Sequence, residues 1–273
     1  MTASIRLPAM IELICIDVDG TLVGSSGEVA SATWEAAART RAAGVRLAIC
    51  SGRPAFGLAR GYAERLDHDA WHVFQNGASV VRLPVGTTRS RGLPSGAVAS
   101  LVARARETGR ALELYGDSEY AVEVDSVRTR EHARLLGVRW APRDLLSLHG
   151  PVVRGQWLVP HDEAEAVMGE PHEGLNLSHS QSPVMPDTSF INITPEGVDK
   201  ALAVRAVSAE YGMPLERVMM VGDGANDVTA MRAVGFAVAM GNAEPVAKAA
   251  ARYEVSHVDR GGLVEALALA LTL

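Results

Sequence analysis

The chain has 273 residues, 48% hydrophobic and 21% charged, with a formal net charge of −6 at neutral pH. That length suits roughly two domains or one large one, and the apolar content is enough for a sizeable core. The acidic balance, without a basic stripe, excludes a typical nucleic-acid binder; no apolar run reaches the ~18 residues of a membrane span.

The first ten residues lack the basic-then-apolar order of a secretory signal, so a cytoplasmic protein is expected. Residues 11–18 read as a buried strand. A helix over 31–43 follows, with Ser31 as its expected N-cap and Gly44 closing it. Then come a strand at 45–50, a helix from 54 to 66 and a strand at 71–75. Strands alternating with helices imply right-handed βαβ units and a parallel sheet. Asn76-Gly77 is a turn signal, after which a short strand runs to 82. Residues 83–96, rich in Pro, Gly, Ser and Thr, have the composition of a linker.

A second region has its own mixed pattern: helix 95–108, strands 111–115 and 119–124, helix 126–136, strand 152–159, helix 161–169 and strand 174–178. The βα alternation then resumes with strand 190–193, helix 197–211, strand 217–221, helix 226–234, strand 236–240 and helices 244–251 and 261–271. The expected fold is therefore α/β: a Rossmann-like parallel core with helices on both faces, over residues 1–85 and 188–273, interrupted by an inserted α+β domain over 86–187. Cys15 and Cys50 lie in apolar strand-like runs and read as buried, reduced thiols.

Polar residues stand where core strands end, which is where open α/β sheets bind ligands. Asp17 and Asp19 end the first strand and, at i and i+2, project into one small volume. Two like charges that close are costly unless a cation or a shared proton offsets them. Ser51-Gly52 ends the second strand, Lys200 opens a helix, and Asp223 and Asp227 flank the end of another strand. Singly, Ser51 could be a helix cap, Lys200 a solvated charge and Asp227 a first-turn acid. Together, at successive strand ends, they point to one site. Only two of the 26 basic residues are lysines, Lys200 and Lys248, so retention of lysine at 200 fits a demand for a compact ammonium.

The wording of these segments, Asp17-Val-Asp-Gly-Thr-Leu22, Ser51 in Ile-Cys-Ser-Gly-Arg-Pro, Lys200 in Gly-Val-Asp-Lys and Gly222-Asp-Gly-Ala-Asn-Asp227, resembles the four motifs of the haloacid dehalogenase (HAD) superfamily of phosphotransferases. Asn76-Gly77-Ala78 and the position of the insertion resemble its Cof-type branch (subfamily IIB, with a C2-type cap). The resemblance implies an Mg²⁺-dependent phosphatase acting on a small phosphorylated metabolite, such as a sugar phosphate, through an aspartyl-phosphate. By the same resemblance Asp17 is the nucleophile and Asp19 the acid–base. Asp17, the Asp19 carbonyl, Asp223 and Asp227 hold Mg²⁺. Ser51, Lys200, Asn226 and the backbone at Gly20 and Gly52 hold the phosphoryl oxygens. A phosphomutase using the same intermediate and a non-catalytic ligand-binding protein are the alternatives. Ala201 and Asn192 depart from the family pattern without removing a catalytic group.

Overall fold

A computed structural model describes residues 10–182 and 184–273. In chain order the elements up to Thr88 are β1 (Leu13–Ile16), α1 (Ser31–Ala42), β2 (Arg46–Ile49), α2 (Leu58–Asp67), β3 (Trp71–Phe74), β4 (Ser79–Arg82) and β5 (Thr87–Thr88). There follow α3 (Ser95–Thr108), β6 (Ala111–Tyr115), β7 (Tyr120–Val122), α4 (Val127–Leu136), β8 (Arg154–Pro160), α5 (Ala164–Met168), β9 (Leu175–Ser182) and β10 (Met185–Pro195). The chain ends with α6 (Lys200–Tyr211), β11 (Val218–Gly222), α7 (Val228–Ala233), β12 (Phe236–Ala239), α8 (Pro245–Ala250), β13 (Tyr253–Glu254) and α9 (Gly262–Ala270).

Two compact units result. The first is the chain to Gly52 with Tyr62–Thr87 and Asp199–Leu273. Its main sheet has five parallel strands in the order β13-β12-β11-β1-β2, flanked by helices. Every residue of β1 and β11 is buried, as expected of parallel strands covered on both faces. An isolated parallel bridge between Cys50 and Val73 lays β3 beside β2. β3 then pairs antiparallel with β4. Helix α1 starts at Ser31, but its N-cap is Ala30, with no side-chain cap; Ser31 lies one position inside the expected place.

The second unit is Arg53–Gly61 with Thr88–Val198. Its antiparallel sheet runs β7-β6-β8-β10-β9. Residues 190–193, read from sequence as a return to the parallel core, belong instead to β10 and pair with β8 and β9 here. The alternation of strand side chains separates two faces. Leu112, Leu114, Trp157, Val159, Ile191 and Ile193 pack with Leu101, Val102 and Val167 in an apolar core. The other face buries polar groups: the Glu113 carboxylate accepts from the Tyr115 hydroxyl and bonds His132 Nδ1 at 2.7 Å. Among the described residues no helix is long and apolar enough to cross a membrane.

Candidate active site

The sheet order dictates where a site can form. The chain leaves β1 toward β2 on one side and leaves β11 toward β12 on the other, so the topological switch point lies between the carboxyl ends of β1 and β11. Asp17 follows β1 directly, and its N–H donates to the Val221 carbonyl at 2.9 Å, continuing the ladder by one residue. Asp223 follows β11. The two acids are thus carried by adjacent strands, and no loop flexibility is needed to bring them together.

Lys200, the first residue of α6, is fully buried. Asp199 caps that helix, its side chain accepting from Leu202 N–H at 2.8 Å. Lys200 Nζ donates to Asp17 Oδ1 and to Asp227 Oδ1, each at 2.6 Å. Burial alone would depress the ammonium, but Asp17 and Asp227 outweigh it and hold its pKa well above the usual lysine value. Burial pushes the Asp17 carboxyl well above the ordinary carboxylate range; Lys200 opposes this, and Asp227, Asp19 and Asp223 add to it. Asp227 is pinned on its other oxygen, Oδ2, which accepts from the N–H groups of Asp223 (3.0 Å) and Gly224 (2.9 Å).

Asp223 is held just as closely. Its Oδ1 accepts from the Thr21 hydroxyl at 2.9 Å and its Oδ2 from Asn242 Nδ2 at 3.3 Å. The same Asn242 amide donates to the Gly20 carbonyl at 2.8 Å, while Asn242 Oδ1 accepts from Val258 N–H at 2.9 Å. Gly20 has φ +82°, and a Cβ there would fall 2.1 Å from Asp223 Oδ2, so only glycine lets the loop after β1 pass. Burial raises the Asp223 carboxyl to about 6. Each of Asp17, Asp223 and Asp227 offers an oxygen within 4.8 Å of the other two. Three converging carboxylates, two of them pushed upward by burial, are the donor set a hard divalent cation takes.

The remaining residues singled out from sequence lie around this centre. Asp19 is exposed, and its side chain stands outside the three-carboxylate group. Ser51 is fully buried and follows β2, and its carbonyl accepts from Asn76 N–H at 3.0 Å. Gly52 lies against the Asn76 side chain. Asn226, exposed, donates from Nδ2 to Asn76 Oδ1 at 3.0 Å. Sequence reasoning missed Thr21 and Asn242. A signal for Asn242 was present: Gly241-Asn242 follows the apolar strand β12, one more polar pair at a strand end.

The chain is similar to known proteins in sequence and in fold. The family of haloacid dehalogenase-like hydrolases matches residues 14–140 and 171–267. The HMP-PP phosphatase of Shigella flexneri is 24% identical over 245 residues, covering 88% of each chain. Among solved structures, a haloacid dehalogenase-like hydrolase from Bacteroides thetaiotaomicron superposes with a TM-score of 0.80 at 27% identity, covering 95% of this chain and 99% of the other. The fold is also that of the HAD subclass IIB sugar phosphatase BT4131, with a TM-score of 0.78 at 22% identity over 94% and 98% of the two chains.

Proposed function

Because this chain belongs to the haloacid dehalogenase-like hydrolases and is a phosphatase of that family, we propose that it is an Mg²⁺-dependent enzyme hydrolysing a small phosphorylated metabolite, of the sugar-phosphate class, through an aspartyl-phosphate on Asp17. The observation that carries the reading is the buried Lys200 ammonium bridging Asp17 and Asp227 beside Asp223, at the switch point of the sheet. Such a centre joins a nucleophile, a cation for phosphoryl oxygens and a divalent-metal donor set in one small volume.

Each residue then has a chemical task. An Asp17 carboxylate oxygen attacks phosphorus, and the bond from phosphorus to the leaving oxygen breaks. Asp19, exposed to solvent, gives its proton to that leaving oxygen. As a carboxylate it then takes a proton from the water that attacks phosphorus, releasing inorganic phosphate and restoring Asp17. Lys200, Ser51, Asn226 and the N–H groups at Gly20 and Gly52 hold the phosphoryl oxygens. Asp17, the Asp19 carbonyl, Asp223 and Asp227 would hold Mg²⁺, which when bound neutralises charge on the phosphoryl oxygens. The second unit, Arg53–Gly61 with Thr88–Val198, selects the leaving group, and the first unit carries the catalytic groups. The two cysteines, both buried and unpaired, suit the reducing cytoplasm.

The test is phosphate release from a panel of phosphorylated metabolites with Mg²⁺. Turnover that disappears with EDTA and in Asp17→Asn is the expected result. Isomerised sugar phosphate without phosphate release would point to a mutase, and binding without turnover of any panel member would sink the enzyme reading.

A further inference from the structure

Directly after β3 the chain enters a conformation that side chains disfavour. Gln75 and Asn76 have φ values of 53° and 54°, and Gly77 follows at 101°. Two consecutive left-handed residues bearing a Cβ are uncommon, although asparagine tolerates the region better than most. Gln75 adds a second cost: its amide is fully buried, and neither amide atom has a hydrogen-bond partner among the described residues. Strain of this kind persists where the surroundings over-determine it, and it concentrates at functional sites.

The surroundings here are three of the polar strand-end segments. Asn76 N–H donates to the Ser51 carbonyl at 3.0 Å. Its side-chain Oδ1 and Nδ2 lie 3.1 and 3.2 Å from where a Cβ on Gly52 would stand. Asn226 Nδ2 donates to Asn76 Oδ1 at 3.0 Å. On the far side of the turn, a Cβ on Gly77 would fall 2.1 Å from the Asp199 carbonyl, so the turn abuts the residue that precedes Lys200. A right-handed backbone at 75–77 would aim the Asn76 amide elsewhere and break these contacts together.

We propose that Asn76 is a positioning residue: its side-chain amide, aimed by the left-handed turn at 75–77, ties Asn226 to the Ser51–Gly52 loop in the mutual register that a phosphoryl group requires. The proposal rests on the phosphatase reading for its ligand. Glycine adopts the same backbone without strain, so Asn76→Gly removes the amide and leaves the turn.

In the full chain, Asn76→Gly should unfold at a temperature no lower than wild type. Its affinity for inorganic phosphate in the presence of Mg²⁺, read by calorimetry, and its kcat on a hydrolysed ester should each fall, by on the order of 10²-fold if the oxygen-binding groups shift by about 1 Å. Asn226→Ala breaks the same bond from the other side. In ligand-free protein it should speed amide hydrogen exchange around Ser51 and Gln75–Gly77, which loss of a mere ligand contact would not do. Phosphate affinity and kcat of Asn76→Gly both within about twofold of wild type overturn the proposal. Unchanged exchange in Asn226→Ala overturns it as well, and that measurement stands even if Asn76→Gly fails to fold. A wild type that binds phosphate yet hydrolyses no ester would sink the phosphatase reading alone, since calorimetry and exchange still test Asn76.

Discussion

Replacing Lys200 by methionine, which keeps most of the side-chain volume and removes the charge, probes the electrostatic centre of the fold. In the wild type the ammonium sits 2.6 Å from both the Asp17 and the Asp227 carboxylates, and all three side chains are buried. Without it, two carboxylates whose oxygens lie within 4.8 Å of each other face one another directly. At that separation and an effective dielectric of about 20, their repulsion is roughly 3.5 kcal/mol. This agrees with the ~3–5 kcal/mol typical of breaking a buried ion pair by removing one partner. Uptake of one proton at neutral pH caps the penalty near ~4 kcal/mol, because lifting a carboxyl from about 3.9 to 7 costs about 1.4 kcal/mol per unit. In EDTA, Lys200→Met should therefore melt roughly 7 °C or more below wild type. Mg²⁺ should then stabilise the variant more than the wild type, since the cation offsets repulsion that lysine no longer relieves. A loss under about 1 kcal/mol would refute the reasoning, as would an equal Mg²⁺ shift in both proteins.

Three further outcomes are expected. His72 is fully buried, its Nδ1 accepting from Ile49 N–H (3.1 Å) and its Nε2–H donating to the Asp67 carbonyl (2.9 Å), and burial lowers its pKa to about 4. With the folded pKa below the unfolded value of ~6.5, stability is intact above that pH and falls by about 3 kcal/mol as pH drops toward 4; denaturant titrations should show this slope, and His72→Gln should flatten it. Asn242→Ala removes the amide that orients Asp223 and the Gly20 carbonyl, and calorimetry should record Mg²⁺ affinity weakened by about 10–100-fold. Unchanged affinity would remove Asn242 from that role. Gly20→Ala must place a Cβ 2.1 Å from Asp223 Oδ2 at φ +82°; a destabilisation of about 1–3 kcal/mol in denaturant is expected, and a wild-type midpoint would contradict it.

Much of the site was legible before any coordinates because its groups follow from strand order. Acids and a hydroxyl follow apolar runs at 17, 51 and 223, and a parallel sheet collects such ends on one edge; Asp227 lies in the turn after β11, and Lys200 reaches the same edge from the first position of α6. The helper residues were harder to see. Thr21 and Asn242 gain their meaning from Asp223, which lies 202 residues from the first in sequence, and local pattern carries no information on such a pairing. Asn76-Gly77 was visible as a turn, but not as a left-handed one that starts at Gln75. The run at 190–193 reads as a strand of the parallel core but belongs to the antiparallel sheet, for a related reason. Phe190, Ile191 and Ile193 read as a buried strand in either sheet, and only their antiparallel partners, Leu158, Trp157 and Gly155, decide between them.

The central claim is that Asp17 becomes covalently phosphorylated. Mixing the enzyme with a hydrolysed substrate and Mg²⁺, quenching in acid within the first turnover and mapping peptides by mass spectrometry tests it most directly. A phosphoryl adduct on the peptide carrying Asp17 is expected, absent in Asp17→Asn and gone once substrate is exhausted. Rapid phosphate release with no adduct on Asp17 at any quench time, or an adduct that survives Asp17→Asn, would contradict it.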